Sequence, residues 1–222
     1  MNARQFVVFA TVMAVLTVAI AVGANRARRW GPHSASVELR YASLPNATRI
    51  AQFALNRPFP DIELTDVNGA PHSLKAARGK VVVLLVQGNR CPCSESYVGR
   101  VNAIQRDYAP RGVEVWAFNP NVNETEEETR AFAKANRCRY PVSYDVGATM
   151  ADMLHAACTT ECWVADRRGI LRYHGRIDDN IYEPKKVKVQ DLRNALDAVL
   201  DGSPVPTPET RAYACTIRRV VE

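Results

Sequence analysis

The sequence predicts an α/β domain, a central mixed β-sheet flanked by helices, carried behind an N-terminal apolar helix. Three observations predict it. Val81–Val86 is an unbroken apolar and mostly β-branched run, the pattern of a strand buried on both faces. Apolar residues at helical spacing follow, and then a second run, Val113–Phe118, which completes a βαβ unit and therefore a parallel strand pair. The C-terminal half reads instead as two adjacent strands and a closing helix.

The elements follow in order. Phe6–Ala24 carries no charge over 19 residues, close to the roughly 20 that cross a bilayer as a helix. Residues 1–25 are therefore expected to be a transmembrane anchor or a signal peptide. Val22-Gly23-Ala24 offers a small-residue cleavage site, but an apolar run this long favours an uncleaved anchor. Residues 26–56 read as a juxtamembrane linker with a short helix around Asn46–Leu55. A folded domain spans 57–201, and 202–222 is a Pro-rich tail.

Within the domain, Asp61–Asp66 alternates with period two, and Val67-Asn68-Gly69-Ala70 supplies a hairpin turn. After Val81–Val86, the positions Tyr97, Val98, Val101, Ile104 and Tyr108 recur at helical spacing, and Pro110 and Gly112 stop that helix. The acidic stretch Glu124–Glu128 is expected to open a second helix through Ala135, its charge suiting a helix N-terminus. A short strand at Pro141–Asp145 and a helix over Thr149–Ala157 come next. Cys162–Asp166 and Ile170–His174 form a hairpin about Arg167-Arg168-Gly169, and Val189, Leu192, Leu196, Val199 and Leu200 mark the last amphipathic helix.

Charge narrows the function classes. The chain has 222 residues, 29 Lys+Arg against 23 Asp+Glu and a net charge of +6. Six Arg and one acid lie in residues 1–50 (Arg4, Arg26, Arg28, Arg29, Arg40, Arg49 and Glu38), leaving 23 bases and 22 acids for residues 51–222. The domain is nearly neutral, so no nucleic-acid partner is expected. The Arg flank describes a membrane surface. By the positive-inside rule it opposes the extracytoplasmic placement that the cysteines favour. No phosphate loop or dinucleotide fingerprint is present, and no cofactor is expected.

The chemistry concentrates at Cys91-Pro92-Cys93. A cysteine directly after a buried parallel strand and before a helix sits where catalytic groups collect in α/β sheets. With Cys91 as N-cap and Pro92 as first helical residue, the proline loses no helical hydrogen bond and keeps Cys91 extended. The sulfur would then face free backbone N–H groups, which lowers a thiol pKa, and Arg90 would add a cation. Cys91 is the expected nucleophile. Cys93 is awkwardly placed, because residues at i and i+2 of a helix do not face one another. It either makes a labile bond with Cys91 or finds its partner elsewhere.

On these residues the sequence resembles the redoxin branch of the thioredoxin-like superfamily, which holds alkyl hydroperoxide reductase and thiol-specific antioxidant proteins. The resemblance rests on Phe59-Pro60-Asp61, Asp66–Gly69, Gly79-Lys80-Val81, the Cys91-Pro92 turn, Tyr108–Val113, Tyr140-Pro141 and Tyr173–Asp179. The tail around Val205–Thr210 and Ala214–Ile217 looks like that of one redoxin subgroup. The resemblance implies a thioredoxin-like fold and thiol–disulfide chemistry on protein thiols and disulfides, or reduction of a peroxide. Two departures bear on activity. Disulfide reductases of the family carry CxxC, and peroxide reductases place Thr or Ser three residues before the attacking cysteine, where Gly88 stands here.

The family also places a cis-proline loop opposite the cysteine, and Thr159-Thr160-Glu161 stands in its place, where a cis bond would cost about 3 kcal/mol over trans. The same resemblance puts Cys158 near Cys91 and Cys93, which leaves three readings. Cys158 resolves Cys91 or Cys93; or Cys91, Cys93 and Cys158, with His155, form a soft-ligand site suited to Cu(I) or Zn; or Cys158 and Cys162 are inert core thiols. Cys138 and Cys215 are candidates for a second pair or for docking of the tail. Arg176, Asp178 and Asp179 are candidates to tune proton transfer, with a structural ion pair as the alternative.

Overall fold

A computed structural model describes residues 54–219. The apolar segment at 6–24 lies outside the described residues, as does the helix expected around Asn46–Leu55 apart from Ala54 and Leu55. Among the described residues no helix is long and apolar enough to cross a membrane.

Strands β1 (Glu63–Thr65) and β2 (Pro71–Ser73) form an antiparallel hairpin, and Gly69 takes φ +88° in the turn that the alternation predicted. Next come β3 (Val81–Val86), α1 (Pro92–Tyr108), β4 (Val113–Asn119), α2 (Glu126–Ala135), β5 (Val142–Tyr144), α3 (Thr149–Met153), β6 (Cys162–Ala165), β7 (Leu171–Gly175) and α4 (Asp191–Leu200). The five-stranded sheet has the order β5-β4-β3-β6-β7. β3 pairs in parallel with β4 and antiparallel with β6. The sheet is mixed because the N-terminal half crosses over through α1 while the C-terminal half turns back as a hairpin.

β3 is central, and every one of its residues is buried. Val82, Leu84 and Val86 join one core layer with Trp116, Phe118 and Trp163, covered by the hairpin residues Ile62 and Leu64 and by Ala151 and Leu154. Val81, Val83 and Leu85 join the opposite layer beneath Tyr97, Val101 and Ile104 of α1 and Leu192, Ala195 and Leu196 of α4. Burial on both faces explains why this strand reads as a continuous apolar run, since each pleat direction meets a packed layer.

Two helices differ from expectation. α2 begins at Glu126, not Glu124, because Thr125 caps it in a reciprocal box with Glu128. α3 stops at Met153, where His155 turns to φ +51°.

The tail is fastened to the domain at two places. Thr210 N–H donates to the His174 carbonyl, His174 N–H to the Pro208 carbonyl, and Arg176 N–H to Thr210 Oγ1. Further on, Thr159 N–H donates to the Cys215 carbonyl, Val122 N–H to the Arg218 carbonyl and Arg218 N–H to Asn121 Oδ1. Ile217, only 3% exposed, sits in the same core layer as Trp163 and Phe118.

Candidate active site

The turn that presents Cys91 is built from β3 outward. Gln87 N–H donates to the Phe118 carbonyl, so the chain leaves the sheet in register with β4. Gly88 N–H donates to Ser94 Oγ at 3.0 Å, while Asn89 N–H and Arg90 N–H donate to the two carboxylate oxygens of Glu124 at 2.8 and 3.1 Å. The Glu124 carboxylate is buried and also accepts from Asn119 Nδ2 at 2.7 Å. Cys91 then caps α1 with extended φ −98° and ψ 114°, and Pro92 opens the helix. The geometry read from Cys-Pro at a strand-to-helix turn is therefore present.

Around the Cys91 sulfur, Thr159 Oγ1 lies at 3.0 Å and the sulfur of Cys215 at 2.7 Å. That separation is longer than an S–S bond of about 2.05 Å and shorter than an ordinary contact between two sulfurs. Cys93 Sγ lies 3.2 Å from the Tyr182 hydroxyl. The sulfurs of Cys91, Cys93 and Cys215 all fall within 4.8 Å of one another. Arg100 holds the segment that carries Tyr182: it pairs with buried Asp178 at 2.6 Å and donates to the carbonyls of Asn180 and Ile181.

Electrostatics separate the two close thiols. Burial alone would push the Cys91 thiol up, but the Cys215 thiol, the Thr159 hydroxyl and the Ser94 N–H and hydroxyl all stabilise its thiolate, and its pKa is lowered. Cys215 is pushed up to about 12 by burial, by its hydrogen bond to Cys91 and by the neighbouring sulfur charges. When the pair loses its first proton, Cys91 ionises and Cys215 keeps its own. Tyr182 is likewise raised to about 12, first by its hydrogen bond to Cys93 and then by that sulfur's charge.

The loop facing Cys91 contains the expected Thr159 and Thr160, and among the described residues no peptide bond is cis. Thr160 instead takes φ +63°, a conformation in which a β-branched residue is strained by about 1–3 kcal/mol. It is held there by its N–H to the Val86 carbonyl at 2.7 Å and by Val86 N–H to the Glu161 carbonyl at 2.9 Å. Glu161 accepts from the N–H groups of Ala157 and Cys158 with one oxygen and meets His174 Nε2 at 2.7 Å with the other.

The candidate residues thus divide. Cys91, Pro92, Cys93, Thr159 and Thr160 stand where the sequence put them. Cys158 is buried in the facing loop and its backbone bridges to Thr216, but the third member of the sulfur trio is Cys215. His155 does not join the trio either, so a soft-ion site drawn on Cys91, Cys93, Cys158 and His155 becomes one of Cys91, Cys93 and Cys215. The Arg90 guanidinium, expected beside the thiolate, pairs with Glu128 at 2.6 Å instead.

Cys162 is a core thiol, donating to the Gly175 carbonyl and pushed far up by burial. Cys138, also raised by burial, packs on the α1 and α4 side and does not pair with Cys215. Arg176 is tied to Asp191 and Asp178 to Arg100, as the ion-pair alternative expects, and Asp179 accepts from Lys188 N–H at 2.9 Å. Sequence reasoning missed Glu124, Ser94, Asn121 and Tyr182. Only Glu124 carried a usable signal, since Thr125-x-x-Glu128 marks the cap and leaves Glu124 outside the helix.

A mixed sheet of order β5-β4-β3-β6-β7, with a cysteine capping the helix after the central strand, defines a thioredoxin-fold domain. The fold recurs in a putative thiol:disulfide interchange protein of Chlorobium tepidum, 18% identical, with a TM-score of 0.57 over 67% of this chain and 99% of that one. The chain belongs to the AhpC/TSA family, whose model matches residues 55–174. A hypothetical protein from Sinorhizobium meliloti is similar at 30% identity, covering 77% of this chain and 97% of its own, with a TM-score of 0.70. Among curated relatives, the thiol-disulfide oxidoreductase ResA of Bacillus cereus is 26% identical over 115 residues, 52% of this chain and 65% of that protein. The match to its counterpart in Bacillus thuringiensis covers 57% of the relative. The chain therefore spans less than two thirds of the length of these curated relatives, 65% and 57%.

Proposed function

We propose that the domain carries out thiol–disulfide exchange with protein disulfides, Cys91 attacking as the thiolate and Cys215 resolving the mixed disulfide. The observation that carries this is the 2.7 Å approach of two sulfurs of opposite protonation preference, one of them capping a helix. A lowered thiol attacks at neutral pH, and a second thiol within bonding reach completes the exchange. Family membership and the names of the curated relatives support the same chemistry. Cys215 takes the part that the sequence assigned to Cys93 or Cys158. We place the domain on the extracytoplasmic side of a membrane, tethered through residues 6–24, where such disulfides persist.

The test is reduction of a disulfide-bonded protein such as insulin by the reduced full chain. Cys91→Ser should abolish it, and Cys215→Ser should stop after the first attack, leaving a mixed disulfide at Cys91 visible by mass. Turnover that survives Cys91→Ser refutes the assignment.

A second reading rests on the sulfur trio. Three soft donors without a carboxylate favour Cu(I) over hard cations. Metal–sulfur bonds of about 2.3 Å would set the sulfurs about 4 Å apart, so Cys91 and Cys215 would have to separate by about 1 Å. Stoichiometric Cu(I) retention under anaerobic reducing conditions, lost in Cys93→Ser, would support it; no retention excludes it.

A further inference from the structure

We infer that the C-terminal tail occupies the place of the substrate, and that the partner is an extended polypeptide segment bearing a disulfide-bonded cysteine with an apolar residue two positions after it. This rests on the exchange reading and names what the site takes. The tail meets the facing loop as a strand would: Cys158 and Thr216 are antiparallel bridge partners, and Thr159 N–H donates to the carbonyl of Cys215 at 2.9 Å. That register sets the Cys215 sulfur on Cys91, and Ile217, two residues on, is 3% exposed within the core layer. Backbone pairing at a free edge is indifferent to sequence, while pockets for alternate side chains select it. Here the edge fixes the cysteine and the Ile217 site selects its neighbour.

The tail is suited to leaving and returning. Between its anchor at Pro208–Thr210 and Cys215 lie Arg211 to Ala214, with Tyr213 58% exposed. The first anchor can hold while the second opens. The Cys91 thiolate then attacks one sulfur of a substrate disulfide R–S–S–R′, forming Cys91–S–S–R and releasing R′–S⁻. When the tail returns, Cys215 gives its proton to the departing R–S⁻ and bonds to the Cys91 sulfur, yielding Cys91–S–S–Cys215, R–SH and R′–S⁻. The pair is oxidised by two electrons and the substrate reduced by two. Resolution and product release become one event, because the tail needs the hydrogen bonds the substrate holds.

The test uses the full chain carrying Cys93→Ser and Cys215→Ser, so that Cys91 is the reacting thiol of the trio. The probes are nine-residue peptides with the sequence of residues 211–219, activated at the cysteine as the thiopyridyl disulfide. One is unaltered, one has Asp in place of the isoleucine, and one has proline on both sides of the cysteine. Because the leaving group is shared, release of thiopyridone compares docking alone. The unaltered peptide should react about tenfold faster than either altered one, the equivalent of burying one apolar side chain or losing the strand pairing. Its adduct should raise hydrogen exchange at residues 215–218. Equal rates for all three peptides overturn the inference while leaving the exchange reading standing. No thiopyridone release from any of them sinks the exchange reading as well.

Discussion

Replacing Glu124 by Gln is the sharpest probe of how the Cys91 turn is held. Glu124 Oε2 accepts from Asn89 N–H at 2.8 Å and Asn119 Nδ2 at 2.7 Å, and Oε1 accepts from Arg90 N–H at 3.1 Å. Glutamine keeps the shape but turns one oxygen into a donor. Its better orientation keeps the carbonyl towards Asn89 and Asn119 and sets the NH₂ against Arg90 N–H. One N–H in the turn is then left unsatisfied, at about 1–3 kcal/mol, and two charge-assisted bonds become neutral ones. The expected loss is about 2–4 kcal/mol. A solvated carboxylate at a helix N-terminus, which is how the sequence alone presents Glu124, would lose only about 0.3–1 kcal/mol. Urea unfolding of the reduced chain separates the two, read from the transition midpoint at unchanged slope. Alkylation of Cys91 should respond as well, since its turn loosens. A loss below about 1 kcal/mol with unaltered alkylation would refute the view that this carboxylate builds the turn.

Four further outcomes follow from the same geometry. Thr159→Val removes a hydroxyl 3.0 Å from Cys91, so the Cys91 pKa should rise and the pH profile of its alkylation move to higher pH, with slower reaction at neutral pH. Because Cys91 ionises more readily folded than unfolded, its contribution to stability is present above the free-thiol pKa and lost as pH falls through the folded value. Cys215 does the reverse, its contribution fading as pH rises towards about 12, and stability against pH in Cys215→Ser checks that sign. Gly88→Thr should destabilise by about 1–3 kcal/mol without creating a peroxidase, because a Cβ there would lie 2.7 Å from Asn121 Nδ2 and 3.1 Å from Thr159 Cγ2; thermal unfolding and a peroxide assay read the two parts. Tyr182→Phe should change the labelling rate of Cys93 at nearly constant stability, since the ring is 61% exposed and touches the site through its hydroxyl.

Most of the sheet was legible because its signals are local. β3 and β4 are runs whose length and branching suit a strand buried on both faces, and α1 is bracketed by Pro92 and Gly112. The Cys91 cap was readable for the same reason, as strand end, proline and helix start are adjacent in the chain. The start of α2 was legible only through the Thr125-x-x-Glu128 cap, because a row of acids looks alike whether it is solvated or, as at Glu124, folded inward to receive backbone N–H groups. The conformation of Thr160 was out of reach. A missing proline says that the cis bond is disfavoured, but the left-handed turn that replaces it depends on Val86 across the sheet.

The third sulfur shows where sequence logic stops and why. Placing Cys158 beside Cys91 located the right backbone, since that loop does face the helix cap. Cys158 is the antiparallel bridge partner of Thr216 while its own N–H turns to Glu161, and the sulfur that reaches Cys91 comes from Cys215, the tail residue before Thr216. That strand is a Pro-rich tail without periodicity, held by backbone bonds to β7, Asn121 and Thr159 from segments up to about a hundred residues away. Cys93, at i+2 on the helix, keeps its sulfur within 4.8 Å of those of Cys91 and Cys215 and 3.2 Å from the Tyr182 hydroxyl. The trio therefore needs all of these supports: a cap made by local sequence, a loop strained at Thr160, and a tail whose own cysteine arrives only because its backbone completes the edge that the loop leaves open.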